Sequence, residues 1–240
     1  MGNLGFAYHM ASLVSDITRF LYPQSCIGCG YNLFNSHHFL CLQCIDTLPY
    51  TGFEKLADNN ITKLFSGRLP IERGAAWLFF GKDGLTQKLI HQLKYHGNQE
   101  LGEYLGHIMG GQLRQAGWFN GVDLIVPLPL NRKKYRIRGY NQAELICTGL
   151  HKATNIQVEK LAIMRTIFTQ TQTRKSRLQR WANVEHVFDV KDEHLLEGRH
   201  VLLVDDVITT GATMDACGQV LLRAPGLKLS VLSLALADLL

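Results

Sequence analysis

The residues 201–213, VLLVDDVITTGAT, bring together groups that suit an anionic sugar ligand. Four apolar residues run into two adjacent carboxylates, Asp205 and Asp206, followed by a short Thr/Gly loop and the start of a helical pattern near Thr213. A loop entering a helix offers unpaired backbone N–H groups to an anion. Thr209, Thr210 and Thr213 add hydroxyl donors, and Gly211 and Ala212 leave room for close backbone approach. The carboxylates repel a phosphate, so their expected work is to accept hydrogen bonds from sugar hydroxyls, directly or through bound Mg²⁺ and water. GxGxxG and GxxxxGK[ST] are both missing from this stretch, which sets aside a dinucleotide site and a P-loop.

A second constellation is Cys26, Cys29, Cys41 and Cys44, two CxxC pairs eleven residues apart. Each pair folds into a tight turn that aims two thiolates at one centre, and four sulfurs complete a tetrahedral Zn²⁺ shell. A closed shell leaves no position for water, so the expected role is structural. His37 and His38 lie between the pairs and are alternative ligands, while Cys147 and Cys217 sit on helical patterns beside apolar residues, as core cysteines do.

Basic residues form a third group. Arg132, Lys133, Lys134, Arg136 and Arg138 follow the apolar run VDLIVPLP at 122–129, and Arg174, Lys175, Arg177 and Arg180 fall in a polar, aperiodic stretch at 171–184 that suits a lid. From Arg132 to Arg180 there are twelve basic residues against Glu144 and Glu159 alone, although the whole chain carries 25 basic against 20 acidic residues, a net +5.

The elements that must position these groups follow from periodicity. Expected strands lie at 75–80, 122–129, 161–165, 200–205 and 228–236, with helices at 84–95, 100–115, 139–151 and 213–223. That alternation predicts an α/β fold with a mostly parallel sheet flanked by helices, in which ligands bind beyond the carboxyl ends of strands. An amphipathic helix is expected at 10–22, stopped by Pro23. Weak periodicity from Gly52 to Arg73 puts a boundary near 70, giving a metal-binding segment at 1–70 and a larger domain at 71–240.

At 240 residues, with 46% hydrophobic and 19% charged residues, the chain is neither disordered nor collagen-like. Its longest apolar runs fall short of a membrane span, His9, Asp16 and Arg19 interrupt any signal-peptide pattern, and reduced CxxC pairs suit a cytoplasmic location.

Strand, acid pair and TTGAT together resemble the phosphoribosyl pyrophosphate (PRPP) loop of type I phosphoribosyltransferases. With the cysteine pairs, LKYHGN at 93–98, PLPLNRKKYRIRGYNQA at 127–143 and the stretch from Gln172 through Asn183 to Phe188, the chain resembles the ComF family (ComFC/GntX-like proteins) over nearly its whole length. It departs from that family at 169–176, where TQTQTRKS stands in place of a TPPQxxLS-like pattern. The resemblance implies a type I phosphoribosyltransferase-like domain behind a zinc-binding segment. The 5-phosphate would lie on 209–213, the ribose hydroxyls near Asp205 and Asp206, and Mg²⁺-bound pyrophosphate near Leu130, Asn131, Arg132 and Lys133. Arg132 and Lys133 would neutralise the departing pyrophosphate. Lys94, Tyr95 and His96 either line the acceptor side or simply end a helix capped by Gly97. Two functions fit: transfer of ribose 5-phosphate from PRPP to an acceptor, or a non-catalytic role in DNA uptake or recombination that binds single-stranded DNA or partner proteins with PRPP as effector. A purely structural zinc adaptor is a third, but it leaves the acid pair and TTGAT without a purpose.

Overall fold

The computed structural model describes residues 24–33, 38–82, 84–166 and 187–237. The expected helix at 10–22 and the whole lid segment at 171–184 lie outside them. The chain divides into two compact units, 1–48 and 49–240.

In the smaller unit a short hairpin, β1 (Gln24–Ser25) and β2 (Asn32–Leu33), is antiparallel with Ser25 opposite Asn32, and a one-turn helix α1 (Leu42–Asp46) follows.

The larger unit is built on a five-stranded parallel sheet in the order β3 (Arg73–Phe80), β9 (Lys228–Ala237), β8 (His200–Ile208), β4 (Leu124–Pro127), β5 (Gln157–Val158). Its inner strands read as continuous apolar runs because elements cover both faces: Val201 through Val204 and Val231 through Ala235 are buried. The expected strand at 161–165 is not part of this sheet. Its core, β6 (Ile163–Arg165), pairs antiparallel with β7 (Phe188–Val190) in a separate two-stranded ribbon.

Residues 59–69, which the sequence reading placed in the N-terminal segment, pack on the larger unit. Asn59 caps α2 (Asn60–Phe65) through a reciprocal capping box with Thr62, and its Nδ2 donates to the Gly74 carbonyl at 2.9 Å. Helices α3 (Leu85–Tyr95) and α4 (Gln99–Gln115) appear where periodicity predicts them; α3 buries Thr86, Leu89, Ile90 and Leu93. The basic run between the expected strand at 122–129 and the expected helix at 139–151 is itself a helix, α5 (Arg132–Arg138), capped by Asn131 and ended by Gly139 at φ 79°. The next helix, α6 (Gln142–Thr154), therefore starts three residues later than expected, behind a fresh Asn141 cap. Helix α7 (Ala212–Leu221) follows β8.

Helices α4 and α6 pack closely because glycines meet backbone. A Cβ on Gly106 would lie 2.2 Å from the Ile146 carbonyl oxygen, and one on Gly149 would lie 2.1 Å from that of Glu103. Neither neighbour is a flexible side-chain end, so Gly149→Ala forces the helices apart. Overpacking of this kind is expected to cost about 3 kcal/mol, which for a chain of this size lowers Tm by roughly 6–12 °C. Calorimetry checks this, and a Tm within 2 °C of wild type, about what a ΔΔG under 1 kcal/mol gives, would show that the helices are free to separate.

Candidate functional site

The sheet reverses direction between β4 and β8: β4 leads outward to β5, whereas β8 leads the other way to β9. The carboxyl ends of strands at such a switch point open a crevice. Prolines sharpen it here. The β4 ladder runs only to Pro127 opposite Val204, and Pro129 follows, while β8 continues along β9 as far as Ile208 opposite Leu236. Asp205 and Asp206 are therefore the first β8 residues with no neighbour on the β4 side. The expected strand at 200–205 ended on Asp205; the strand continues to Ile208 and holds both acids.

A cleft of about 370 Å³ occupies this place. It is lined by Asp205, Asp206, Val207 and Thr209 from the β8 end and Thr213 from α7, facing Leu128 to Asn131 from the β4 exit. The cations in its wall are Lys94, Lys134, Arg138 and Arg165. Of the residues singled out in the sequence, the structure thus brings together Asp205, Asp206, Leu130, Asn131, Thr209 and Thr213. Arg132 and Lys133 are exposed on the first turn of α5 and do not line the cleft; Lys134 and Arg138, four residues apart on the helix, do. Thr210 and Gly211 form the turn into α7 and Ala212 opens the helix, none of them lining the cleft.

The acid pair is unequal. Asp206 is 9% exposed and its Oδ2 lies 2.8 Å from Lys94 Nζ, so the α3 end does reach the site. His96 caps that helix and Gly97 follows at φ 66°, so the helix-end reading holds for them. Asp205 has no ion-pair partner within 4 Å among the described residues; its Oδ1 accepts the Asp206 backbone N–H at 2.8 Å. Burial, then the neighbouring Asp206 charge, push the Asp205 carboxyl well above the usual range, against smaller opposing effects of that N–H and of Lys94. A cation or hydroxyl donors beside this carboxyl would stabilise its charged form.

Arg165 lies over the Phe188 ring at 5.2 Å, and burial lowers its pKa. Among the described residues it has no ion-pair partner, and so it offers a free guanidinium to the cleft. No motif marks it, because β6 is placed only by pairing with β7.

The loop before α7 is held from outside. Arg68 binds Asp215 in the first turn of α7 at 2.7 Å and reaches the Thr210 carbonyl at 3.4 Å, while a Cβ on Gly211, at φ 71°, would press on the Phe65 ring at 3.0 Å. On the other wall, each residue of GYNQ has a task. Gly139 ends α5, Tyr140 donates its hydroxyl to the Leu93 carbonyl at 2.7 Å, and Asn141 caps α6 while its Nδ2 donates to the Leu128 carbonyl at 3.0 Å. Gln142 lies buried behind them.

In the smaller unit the four cysteine sulfurs lie within 4.8 Å of one another, with Cys29 Sγ and Cys41 Sγ 3.7 Å apart. Sulfurs about 2.3 Å from a tetrahedral zinc are about 3.8 Å from each other, far beyond the disulfide length. Backbone N–H groups also point at sulfur: Cys41 N donates to Cys26 Sγ at 3.3 Å and Cys44 N to Cys41 Sγ at 3.4 Å. Burial raises the Cys26 thiol, but N–H donors from Cys29, Cys41 and Gly28 outweigh it and bring the pKa down to about 6. Burial and the neighbouring sulfurs push Cys44 up to about 12. Four adjacent thiols cannot all ionise without a cation, and the donor set fits a soft divalent metal ion. Cys147 and Cys217 are buried in helices, and burial raises both thiols well above their ordinary value.

Residues 153–238, from the end of α6 to β9, match the phosphoribosyl transferase domain family. The chain's similarity to the DNA utilization protein YhgH of Escherichia coli K12 is 36% identity over 138 residues, 56% of this chain and 60% of that protein. Competence protein ComFC of Bacillus subtilis is 32% identical over 100 residues, 42% of this chain and 38% of ComFC. The chain thus spans about 60% of the length of the first of these relatives. A solved glutamine PRPP amidotransferase of B. subtilis, complexed with ADP and GMP, is also similar, with 17% identity, TM-score 0.41, and coverage of 59% of this chain and 30% of that one. The match to the phosphoribosyl transferase domain family, the four-cysteine cluster at 26–44, and relatives named for competence and DNA utilization agree with the ComF resemblance. No helix of the described residues is long and apolar enough to cross a membrane.

Proposed function

We propose that the cleft binds PRPP with Mg²⁺ and transfers its ribose 5-phosphate to an acceptor. The observation that carries this reading is the composition of the cleft where β4 stops: an acid pair on β8, Thr209 and Thr213 on either side of the turn into α7, and the cations Lys134, Arg138 and Arg165 around them. PRPP needs all three, for its ribose hydroxyls, its 5-phosphate and its pyrophosphate. Mg²⁺ would be held by the pyrophosphate and the free Asp205 carboxylate. In the transfer, the bond from the anomeric carbon to pyrophosphate oxygen breaks, pyrophosphate leaves with the electron pair, and the acceptor bonds to that carbon. Cations in the cleft wall stabilise the charge that grows on the leaving group. The cysteine cluster is proposed to hold Zn²⁺ in a structural role, in a cytoplasmic protein.

One observation favours the second reading, an accessory of DNA uptake or recombination. Helix α5 presents Arg132, Lys133, Lys134 and Arg136 on the surface, interleaved with Tyr135 and Ile137, which are 48% and 82% exposed. Cations for phosphates beside an exposed ring for bases suit single-stranded DNA, and the relatives' names agree. The two readings separate on pyrophosphate release from PRPP, assayed across nucleobases and amines. Release with at least one acceptor is the expected result. No release with any of them, together with salt-sensitive binding of single-stranded DNA, would move the assignment to the accessory role.

A further inference from the structure

We infer that Gln142 is a ligand-contacting residue of the cleft: its side-chain amide donates a hydrogen bond to an oxygen of the bound sugar diphosphate, with Arg138 fixing its orientation. This rests on the PRPP reading of the same cleft and adds a residue that no motif chemistry pointed to. Gln142 opens α6, lines the cleft and is only 1% exposed. Arg138 Nη1 donates to its Oε1 at 2.8 Å. A guanidinium has no acceptor, so the amide oxygen must face it and the NH₂ group must face away. That nitrogen is buried and has no hydrogen-bond partner among the described residues.

A buried donor left unmade is costly, and a purely structural role explains it poorly. The helix cap at this point is supplied by Asn141, not by Gln142. In the wall Lys94, Lys134, Arg138 and Arg165 only donate, and the groups that could accept, Asp205, Asp206, Thr209 and Thr213, make no hydrogen bond to this nitrogen. An acceptor brought in by a ligand would satisfy it, and an oxygen of a phosphate, pyrophosphate or ribose is of the right kind. Arg138 is itself steadied over the Tyr95 ring at 5.6 Å, so the donor is held ready before any ligand arrives.

The test uses the full chain with two replacements, Gln142→Glu and Gln142→Met. Glutamate keeps an oxygen for Arg138 but loses the donor, and methionine keeps the shape without either group. Thermal melts are run beside titrations with PRPP, pyrophosphate and ribose 5-phosphate in Mg²⁺. The expected result is a Tm equal to or above wild type in at least one variant, with PRPP affinity lowered roughly tenfold or more in both, the size of a lost hydrogen bond to a charged oxygen. Loss on one of the two fragments then names the oxygen being read. Affinity within about twofold of wild type in both variants overturns the assignment, since even a modest lost hydrogen bond exceeds that. So does a Tm loss in both that accompanies the affinity loss, which would make the amide a part of the fold. If the wild type binds none of the three probes, the PRPP reading fails first and this assignment goes with it.

Discussion

Replacing Asp205 and Asp206 together by asparagine is expected to abolish saturable PRPP binding in Mg²⁺ while leaving the fold intact. Hydrogen bonds to charged groups are worth about 1.5–3 kcal/mol each, so two lost carboxylates correspond to a fall of roughly 10²- to 10⁴-fold in affinity. The single Asp205→Asn change separates binding from stability. Because burial and Asp206 raise the Asp205 pKa in the folded chain, the folded state holds that proton more tightly than the unfolded one. The resulting stabilisation is fully present below the unfolded value of about 3.9 and is lost as pH rises through the higher folded value. Asp205→Asn removes an ionisable group whose charged form disfavours folding, and asparagine can still accept the Asp206 N–H. The variant should melt above wild type at pH 7, with the gap closing near pH 4, while binding PRPP far more weakly. A variant less stable than wild type at pH 7 would contradict this account of the pair. A more stable fold that no longer binds is what a functional site under electrostatic strain produces.

The second large effect concerns the cysteines. Metal analysis of the purified chain is expected to find about one zinc ion. Cys26→Ser or Cys44→Ser should remove it and unfold residues 24–48 locally, since structural zinc supplies on the order of 10–16 kcal/mol in small domains. Cys26 and Cys44 carry the larger effect because both are buried, whereas Cys29 is exposed. Proteolysis within 24–48 on chelation, with the 49–240 unit still resistant, is the expected pattern. Metal loss with an unchanged digestion pattern would exclude a structural role.

Much of this was legible in the sequence where the chemistry is local. Acid pair, threonine turn and helix start lie within thirteen residues of one another, and their spacing implies the strand-loop-helix that the structure shows. The two CxxC pairs are local in the same way, and the structure gathers their sulfurs. The rest depends on partners distant in the chain. Helix α5 carries no apolar stripe, because its seven residues bury none of their number; only the Asn131 and Gly139 caps mark it. The role of Arg68 arises from a contact 147 residues away, which no local pattern records. Arg165 reaches the cleft through a ribbon pairing that periodicity cannot distinguish from membership of the main sheet. The positive charge concentrated between Arg132 and Arg180 pointed to an anionic ligand, but it was the helical turn that selected Lys134 and Arg138 over Arg132 and Lys133.

The central claim is that the crevice between β4 and β8 is a PRPP site, and calorimetric titration of the wild-type chain with PRPP in Mg²⁺ tests it most directly. The account predicts saturation at one PRPP per chain, with pyrophosphate and ribose 5-phosphate each competing, since each occupies part of the cleft. Absence of saturable binding, or binding that the paired Asp205→Asn and Asp206→Asn replacements leave unchanged, would contradict it.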